Sequence, residues 1–288
     1  PIQTGKRKEG KVIKIISHEI REVVGYFQKN KSFGYVIPDN KKIFSDIYIA
    51  GKDTKGAVDG HKVVAKIKTY GTKDRKPEGV VTEILGHVND PGVDILSIVK
   101  NYDIPCEFPE EVMEQIENIP SEVAEEDKVG KFDIRGLQTV TIDGEDAKDL
   151  DDAITLTKED GIYTLGVHIA DVSHYVTENS PLDKEAVKRG TSVYLVDRVI
   201  PMLPHKLSNG ICSLNQGEDR LALSCIMKIN EKGEIVDHQV KETLINVDRR
   251  MTYTAVNEII TQKDEATIKQ YEDCVPMCNL MAEFSKIR

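Results

Sequence analysis

Long apolar runs are missing from this 288-residue chain, and none approaches the roughly 18 residues that a membrane-spanning helix requires. The opening residues, Pro1-Ile2-Gln3-Thr4-Gly5-Lys6, hold none of the apolar core of a secretory leader. Cysteine is sparse and odd in number: Cys106, Cys212, Cys225, Cys274 and Cys278. Such a scattered set does not read as a disulfide framework. Cys274 and Cys278 lack the second Cys or His pair that would complete a zinc site. Free thiols in a reducing cytoplasm are therefore expected, with no membrane partner and no disulfide partner.

Charge is abundant and unevenly spread. The formal net charge of −10 hides a basic N-terminal part, with 18 Lys+Arg against 10 Asp+Glu in residues 1–88 for a net of +8. Residues 89–288 carry 21 against 39, a net of −18. The basic part can attract phosphates through counterion release, while the acidic part calls for cations or solvent.

Four segments follow from composition and pattern. Residues 7–15 and 75–84 share a basic pair, Glu-Gly and a β-alternating run; either two basic strands coincide, or each closes a small barrel. On the second reading, residues 1–16 hold the last strand of a preceding barrel, and the true N-terminus lies upstream of Pro1. Residues 17–88 contain short strand candidates at Val23–Phe27, Phe33–Pro38, Ile47–Ala50 and Lys62–Tyr70, separated by turn residues. Short strands of this kind suit a five-stranded OB-type barrel. Residues 89–131 read as an acidic, partly helical connector that adds nothing to a core, with one helix over Glu110–Ile119. In residues 132–288, strands at Thr139–Ile142, Ala153–Thr157 and Tyr163–His168 alternate with helices at Pro181–Arg189 and Thr254–Gln262, which predicts a mixed α/β domain. The stretch from Glu265 to Arg288 reads as one further helix that stops mid-pattern.

Two clusters carry chemistry. Phe33 and Tyr35 alternate on one strand, with Phe27 and Tyr48 on the flanking ones, and Lys31 lies among five lysines between positions 29 and 52. Gly34 leaves the opposite face of that strand without a side chain. Aromatic strands usually bury their rings in a core. Exposed rings beside lysines instead suit single-stranded nucleic acid, whose bases stack while cations meet the phosphates. The second cluster is Asp143-Gly-Glu145-Asp146-Ala-Lys-Asp149-Leu-Asp151-Asp152, in which six of ten residues are acidic and apolar strand-like runs flank both ends. A solvated acidic loop is one reading. A site for a hard divalent cation is the other, because crowded carboxylates favour protonation unless a cation neutralises them. An EF-hand is excluded by spacing, since the sixth and twelfth positions hold Lys148 and Ile154.

These motifs resemble a known family. The segment Thr141 to Ala153, with Asp at relative positions 1, 7, 9 and 10, is similar to the signature of the ribonuclease II/ribonuclease R (RNB) catalytic domain. The likeness continues through Val167–Val176, Arg189–Tyr194, Ile200–Pro204, Leu207–Asn215, Asp219–Leu221 and Met251–Tyr253. Residues 20–88 resemble a cold-shock domain, which favours the ribonuclease R branch. The resemblance implies a 3′→5′ exoribonuclease releasing nucleoside 5′-monophosphates. It assigns Asp143, Asp149, Asp151 and Asp152 to Mg²⁺ (or Mn²⁺), with Asp149 and Asp151 catalytic and Asp151 the most critical. Tyr194 and Tyr253 would contact the 3′-terminal nucleotides of single-stranded RNA in the catalytic channel, although a tyrosine packed in a core is the plainer expectation for each. His174 reads as structural, and Asn209 and Asn215 as shaping a loop near the site. The family also draws a glutamate, an arginine and an S1 barrel from further along. The sequence reaches Arg288 without them, so an impaired active centre and a monomer are expected of this fragment. A non-catalytic RNA-binding regulator with a decayed nuclease domain is the alternative.

Overall fold

The computed structural model describes residues 2–4, 7–9, 12–43, 45–72 and 74–287. By contact the chain divides into two compact units, Pro1–Cys106 with Tyr194–Arg198, and Glu107–Val193 with Val199–Arg288. Among the described residues, no helix is long and apolar enough to cross a membrane.

In the first unit, β1 (Ile2–Thr4) pairs antiparallel with β2 (Arg7–Glu9). Of the strand expected across residues 7–15, Arg7–Glu9 is a strand, Gly10 and Lys11 lie outside the described residues, and Val12, Ile13, Ile15 and Ile16 are exposed in a stretch without regular structure. Next come β3 (Glu22–Lys29), β4 (Phe33–Pro38), β5 (Ile47–Ala50), β6 (His61–Thr69) and β7 (Glu78–His87), which close into a barrel in the order β3-β4-β5-β7-β6. Closure leaves no sheet edge to template aggregation. The interior is filled by Val23, Phe27, Val36, Ile47, Ile49, Val63, Ala65 and Val81. Phe27 departs from the nucleic-acid role expected of it, since its ring is fully buried. The reason lies across the barrel wall. A Cβ on Gly34 would come within 2.3 Å of the Phe27 ring, so the side chain missing at Gly34 makes room for Phe27 inside.

The segment read as a connector is not a free linker. Helix α1 (Val93–Asn101) belongs to the barrel unit, where Lys100 pairs with Glu83 of β7 at 2.7 Å. Helix α2 (Glu110–Glu117) belongs to the second unit and sets Val112 and Ile116 into its core. Its apolar residues recur at i and i+4 and so form a buried stripe. The acidic composition describes only the opposite, solvated face.

After α3 (Glu125–Lys128), the second unit is organised by a seven-stranded sheet. Its first four strands are β8 (Phe132–Asp133), β9 (Val140–Asp143), β10 (Asp152–Glu159) and β11 (Ile162–Ala170). Helices α4 (Val172–Tyr175) and α5 (Pro181–Arg189) and a short ribbon, β12 (Val193–Tyr194) with β13 (Val199–Ile200), follow. The chain then returns through β14 (Asp219–Ile229), β15 (Ile235–Asn246) and β16 (Arg249–Thr252). The strand order is β16-β9-β10-β11-β14-β15-β8, antiparallel except for the outer pairs β16–β9 and β15–β8. Helix α5 begins at the Ser180 cap, which accepts from the Asp183 N–H, and ends at left-handed Gly190. Downstream of α6 (Tyr253–Asn257), the single helix expected from Glu265 is two helices, α7 (Glu265–Gln270) and α8 (Val275–Phe284). Pro276 sits in the first turn of α8, where its missing N–H costs nothing.

A chain of polar side chains crosses four strands inside this sheet. The Thr243 hydroxyl donates to the Ala222 carbonyl at 3.0 Å and lies 2.6 Å from Ser224 Oγ. Ser224 Oγ is 2.7 Å from His168 Nδ1, and His168 Nε2 is 3.1 Å from Thr155 Oγ1. Each hydroxyl has one proton to give, so the direction is set from the Ala222 end. Ser224 donates to Thr243, His168 Nδ1–H donates to Ser224, and Thr155 donates to His168 Nε2. The imidazole is therefore held neutral. Gly166 makes this possible, because a Cβ there would approach Thr155 Oγ1 to 2.3 Å and the His168 ring to 2.8 Å.

Burial lowers the His168 pKa from 6.5 to about 4. Above pH 6.5 the folded and unfolded states both carry a neutral ring, and stability is complete. As pH falls from about 6.5 towards 4, the unfolded chain takes up a proton that the folded chain refuses, which removes roughly 3 kcal/mol. Denaturant titrations across this range should show His168→Asn less stable at pH 7.5 and less sensitive to acidification than the parent. Identical pH slopes for the two proteins would refute the buried neutral histidine.

Candidate active site and nucleic-acid surface

The acidic cluster forms the turn between two strands. Asp143 ends β9, Asp152 begins β10, and Asp149 and Asp151 occupy the irregular stretch between. Both flanking strands are anchored by buried apolar side chains, Val140 on β9 and Ala153 and Leu156 on β10. The buried Leu150 side chain fixes the centre of the turn, between Asp149 and Asp151. Ser213 Oγ donates to the Lys148 carbonyl at 2.9 Å and accepts from the Leu150 N–H at 3.0 Å. The Leu150 carbonyl accepts from Leu214, and the Asp151 carbonyl accepts from the Ala170 N–H, both at 2.9 Å. Alternation about the buried Leu150 turns the aspartates outward.

Two of the four carboxyls feel the others. Asp151 is exposed at its surface, yet the protein around it removes enough hydration to push its carboxyl pKa above the ordinary range, with Asp149, Asp152 and Asp143 adding to the effect. Asp143 is likewise raised, by burial and then by Asp152, with Arg250 opposing and Asp149 adding. The donor set is all oxygen and carries a surplus of negative charge, chemistry that fits a hard divalent cation. Among the described residues, no three His, Cys, Asp or Glu side chains are drawn together closely enough to hold an ion in this arrangement.

The parallel pairing of β9 with β16 sets Asp143 opposite Thr252, so Tyr253 follows immediately beside the first aspartate. Thr252 caps α6 by accepting from Ala255, and the Tyr253 ring is 64% exposed. Tyr194 is also exposed, at 66%, but it groups by contact with the barrel unit and not with the aspartate sheet. Asn215 donates to the Asn209 carbonyl at 3.3 Å and lies 3.3 Å from Ser213 Oγ, and so holds the loop that braces the turn. His174 stands 3.2 Å from Asp127, and the Asp171 side chain caps the helix that carries it.

On the barrel, three of the four expected rings form a surface cluster. Phe33 lies 5.5 Å from both Tyr35 and Tyr48 between ring centroids, and Tyr35 lies 5.9 Å from Tyr48. All three are half-buried against one another, and Lys31 is exposed beside them. Lys76, which sequence reasoning did not single out, places its ammonium 4.5 Å over the Tyr35 ring. Arg250, Ser213 and Thr254, whose hydroxyl bonds Glu145, were also missed as neighbours of the acidic turn. Their one sequence signal was closeness to the Cys212 and Met251-Thr252-Tyr253 motifs.

Comparison with known proteins follows this division. The RNB domain profile matches residues 131–288, and the cold shock domain profile matches residues 35–109. The chain is 48% identical over 266 residues to ribonuclease R of Thermotoga maritima, covering 91% of this chain and 37% of that protein. It is 38% identical over 270 residues to ribonuclease R of Escherichia coli, covering 93% of this chain and 33% of that protein. It therefore spans about a third of the length of these relatives. Ribonuclease R of Mycoplasma genitalium in complex with double-stranded RNA superposes with a TM-score of 0.82 at 28% identity, over 88% of this chain and 45% of that one. The same enzyme with ribose-methylated single-stranded RNA gives a TM-score of 0.84 at 26% identity, over 94% of this chain and 45% of that one. The matched residues 131–288 contain the entire seven-stranded sheet and its acidic turn, and the chain belongs to the RNB-domain family, among relatives named ribonuclease R.

Proposed function

We propose that this chain carries the metal-holding part of a 3′→5′ exoribonuclease that releases nucleoside 5′-monophosphates, together with a barrel that grips single-stranded RNA. The observation that carries the reading is the turn between β9 and β10, which carries four aspartates within ten residues, two of them, Asp143 and Asp151, with carboxyls pushed upward by burial and by neighbouring aspartates. Asp143, Asp149, Asp151 and Asp152 would hold Mg²⁺, or Mn²⁺ in its place. When bound, such an ion supplies Lewis-acid stabilisation of a phosphoryl oxygen and a more acidic water. Asp151, whose carboxyl is pushed upward by burial and then by the other three aspartates, is taken as the member whose charge matters most. Tyr253, beside Asp143 in the strand register, offers a ring to a terminal base, and the exposed Tyr194 offers a ring to RNA on the other unit. Phe33, Tyr35 and Tyr48 would stack bases, with Lys31 and Lys76 meeting phosphates.

In the full-length protein, Asp151→Asn should lower single-turnover RNA cleavage by a factor of order 10² or more. That is several kcal/mol at about 1.36 kcal/mol per tenfold. RNA affinity should stay level or rise, because one charge that repels phosphate is gone. Cleavage within a few-fold of the parent would sink the assignment of Asp151.

The barrel makes a separate forecast. Phe33→Ala with Tyr35→Ala should weaken single-stranded RNA binding by roughly 2–6 kcal/mol if each ring stacks one base. The binding that remains should fall steeply with salt. Phe27→Ala should instead destabilise the barrel by about 3–5 kcal/mol through a core cavity. Anisotropy titrations and thermal melts on the same preparations separate the two effects. Tight binding by the double variant would end the stacking role.

A further inference from the structure

Arg250 has no part in the function derived so far, yet its side chain ends in the acidic turn. It sits on β16, opposite Thr141 of β9. Its backbone N–H donates to Gln216 Oε1 at 2.9 Å, which fixes the strand at that point. Its guanidinium Nη2 donates to the Glu145 carbonyl at 2.9 Å and to the Ala147 carbonyl at 2.6 Å. Both carbonyls lie between Asp143 and Asp149, in a stretch whose own backbone contributes the Ala147 N–H to Gly144 carbonyl bond at 3.2 Å. The other end of the turn is held by Ser213, which is fully buried and bonds Lys148 and Leu150. Ser213 therefore brackets Asp149 directly, and Arg250 holds the stretch between Asp143 and Lys148. The Arg250 side is the charged one, close enough to Asp143 to offset part of the repulsion it receives from Asp152 and Asp149.

A guanidinium suits this place better than an ammonium. Both bonds leave one nitrogen, Nη2, whose two N–H directions are fixed in the guanidinium plane and so reach the two carbonyls from one set position, whereas a lysine ammonium is a mobile point charge. Two charge-assisted bonds to main-chain oxygens constrain the path of the turn and not merely one side chain. Both of these bonds go to carbonyls of the turn, and no acidic side chain is used up in making them.

Resting on the exoribonuclease reading above, we propose that Arg250 is a positioning residue for the aspartate set: by tying the carbonyls of Glu145 and Ala147 to β16, it fixes the path of the chain between Asp143 and Asp149, from which these carboxylates would draw in on a divalent cation. The role is distinct from touching RNA. The turn fails in geometry when Arg250 is lost, while the RNA-gripping surfaces are left alone.

The test uses the full-length protein carrying Arg250→Met, which removes both charge and fork, and Arg250→Lys, which keeps the charge without the fork. Four measurements are made on each: Mn²⁺ binding by electron paramagnetic resonance, RNA affinity in EDTA, single-turnover cleavage at saturating Mg²⁺, and the thermal midpoint. For Arg250→Met, half-saturation with Mn²⁺ should need at least tenfold more metal, and cleavage should fall ten- to a hundredfold. RNA affinity in EDTA should stay within twofold. Arg250→Lys should recover part of the metal affinity and less of the cleavage rate, because charge returns without the two-carbonyl clamp. Loss of RNA affinity with Mn²⁺ binding intact would overturn the proposal and make Arg250 a phosphate contact. Unchanged Mn²⁺ binding and cleavage would overturn it too, as would unfolding of both variants, which would make Arg250 a support of the whole domain. If the parent itself neither bound Mn²⁺ nor cleaved RNA, the exoribonuclease reading would fall instead.

Discussion

Repulsion among the carboxylates of one turn is the constraint that the second unit is built to withstand. Asp143, Asp149, Asp151 and Asp152 are spread over ten residues of chain, and burial together with the charges of neighbouring aspartates disfavours ionisation of Asp143 and Asp151. A free acidic loop would relieve this by opening into solvent. Here it cannot open, because its ends are strands in a sheet and its middle is tied to Ser213, Leu214, Ala170 and Arg250. The cost of crowding is met by burial elsewhere, chiefly Leu150, Ala153 and the apolar side chains behind them.

The sheet's interior follows the same logic with neutral groups. The ladder from Thr155 through His168 and Ser224 to Thr243 satisfies buried polar atoms across four strands. A fully satisfied network of this kind specifies register, because a one-residue slip would leave each member without its partner. The barrel unit solves the opposite problem. Its interior is wholly apolar, and its aromatic surplus is pushed outside, where Phe33, Tyr35 and Tyr48 pack on one another.

Much of this was legible in the residues, for identifiable reasons. Phe33–Pro38, Ile47–Ala50 and Pro181–Arg189 were located to the residue because turn glycines, prolines and caps bracket a clean periodicity. The acidic turn was legible as a turn because apolar strand-like runs bracket its six acids on both sides. The long strands Asp219–Ile229 and Ile235–Asn246 were not anticipated, since one is almost continuously apolar and the other is exposed along most of its length. Neither shows strict alternation. Phe27 was misread because strand alternation tells which residues share a face but not which face is inside. Only Gly34, seen across the wall, decides that. Glu110–Glu117 was discounted because its acids outnumber the few apolar residues that do its packing. Arg250 was invisible for a different reason: its partners are backbone carbonyls, and no pattern of side chains announces them.

The parallel pairing of β9 with β16 has a consequence for portability. The bond from Arg250 to Ala147 closes a separation of 103 residues, and four further strands of the same sheet, β10, β11, β14 and β15, lie within that span. Contacts this distant along a chain place a fold in the slow, non-local class, where closure entropy is met before the contact rewards it. The acidic decapeptide is thus not a cassette. Excised as a peptide or transplanted into another hairpin, it would carry its charges but not its shape, because the shape is written more than a hundred residues downstream.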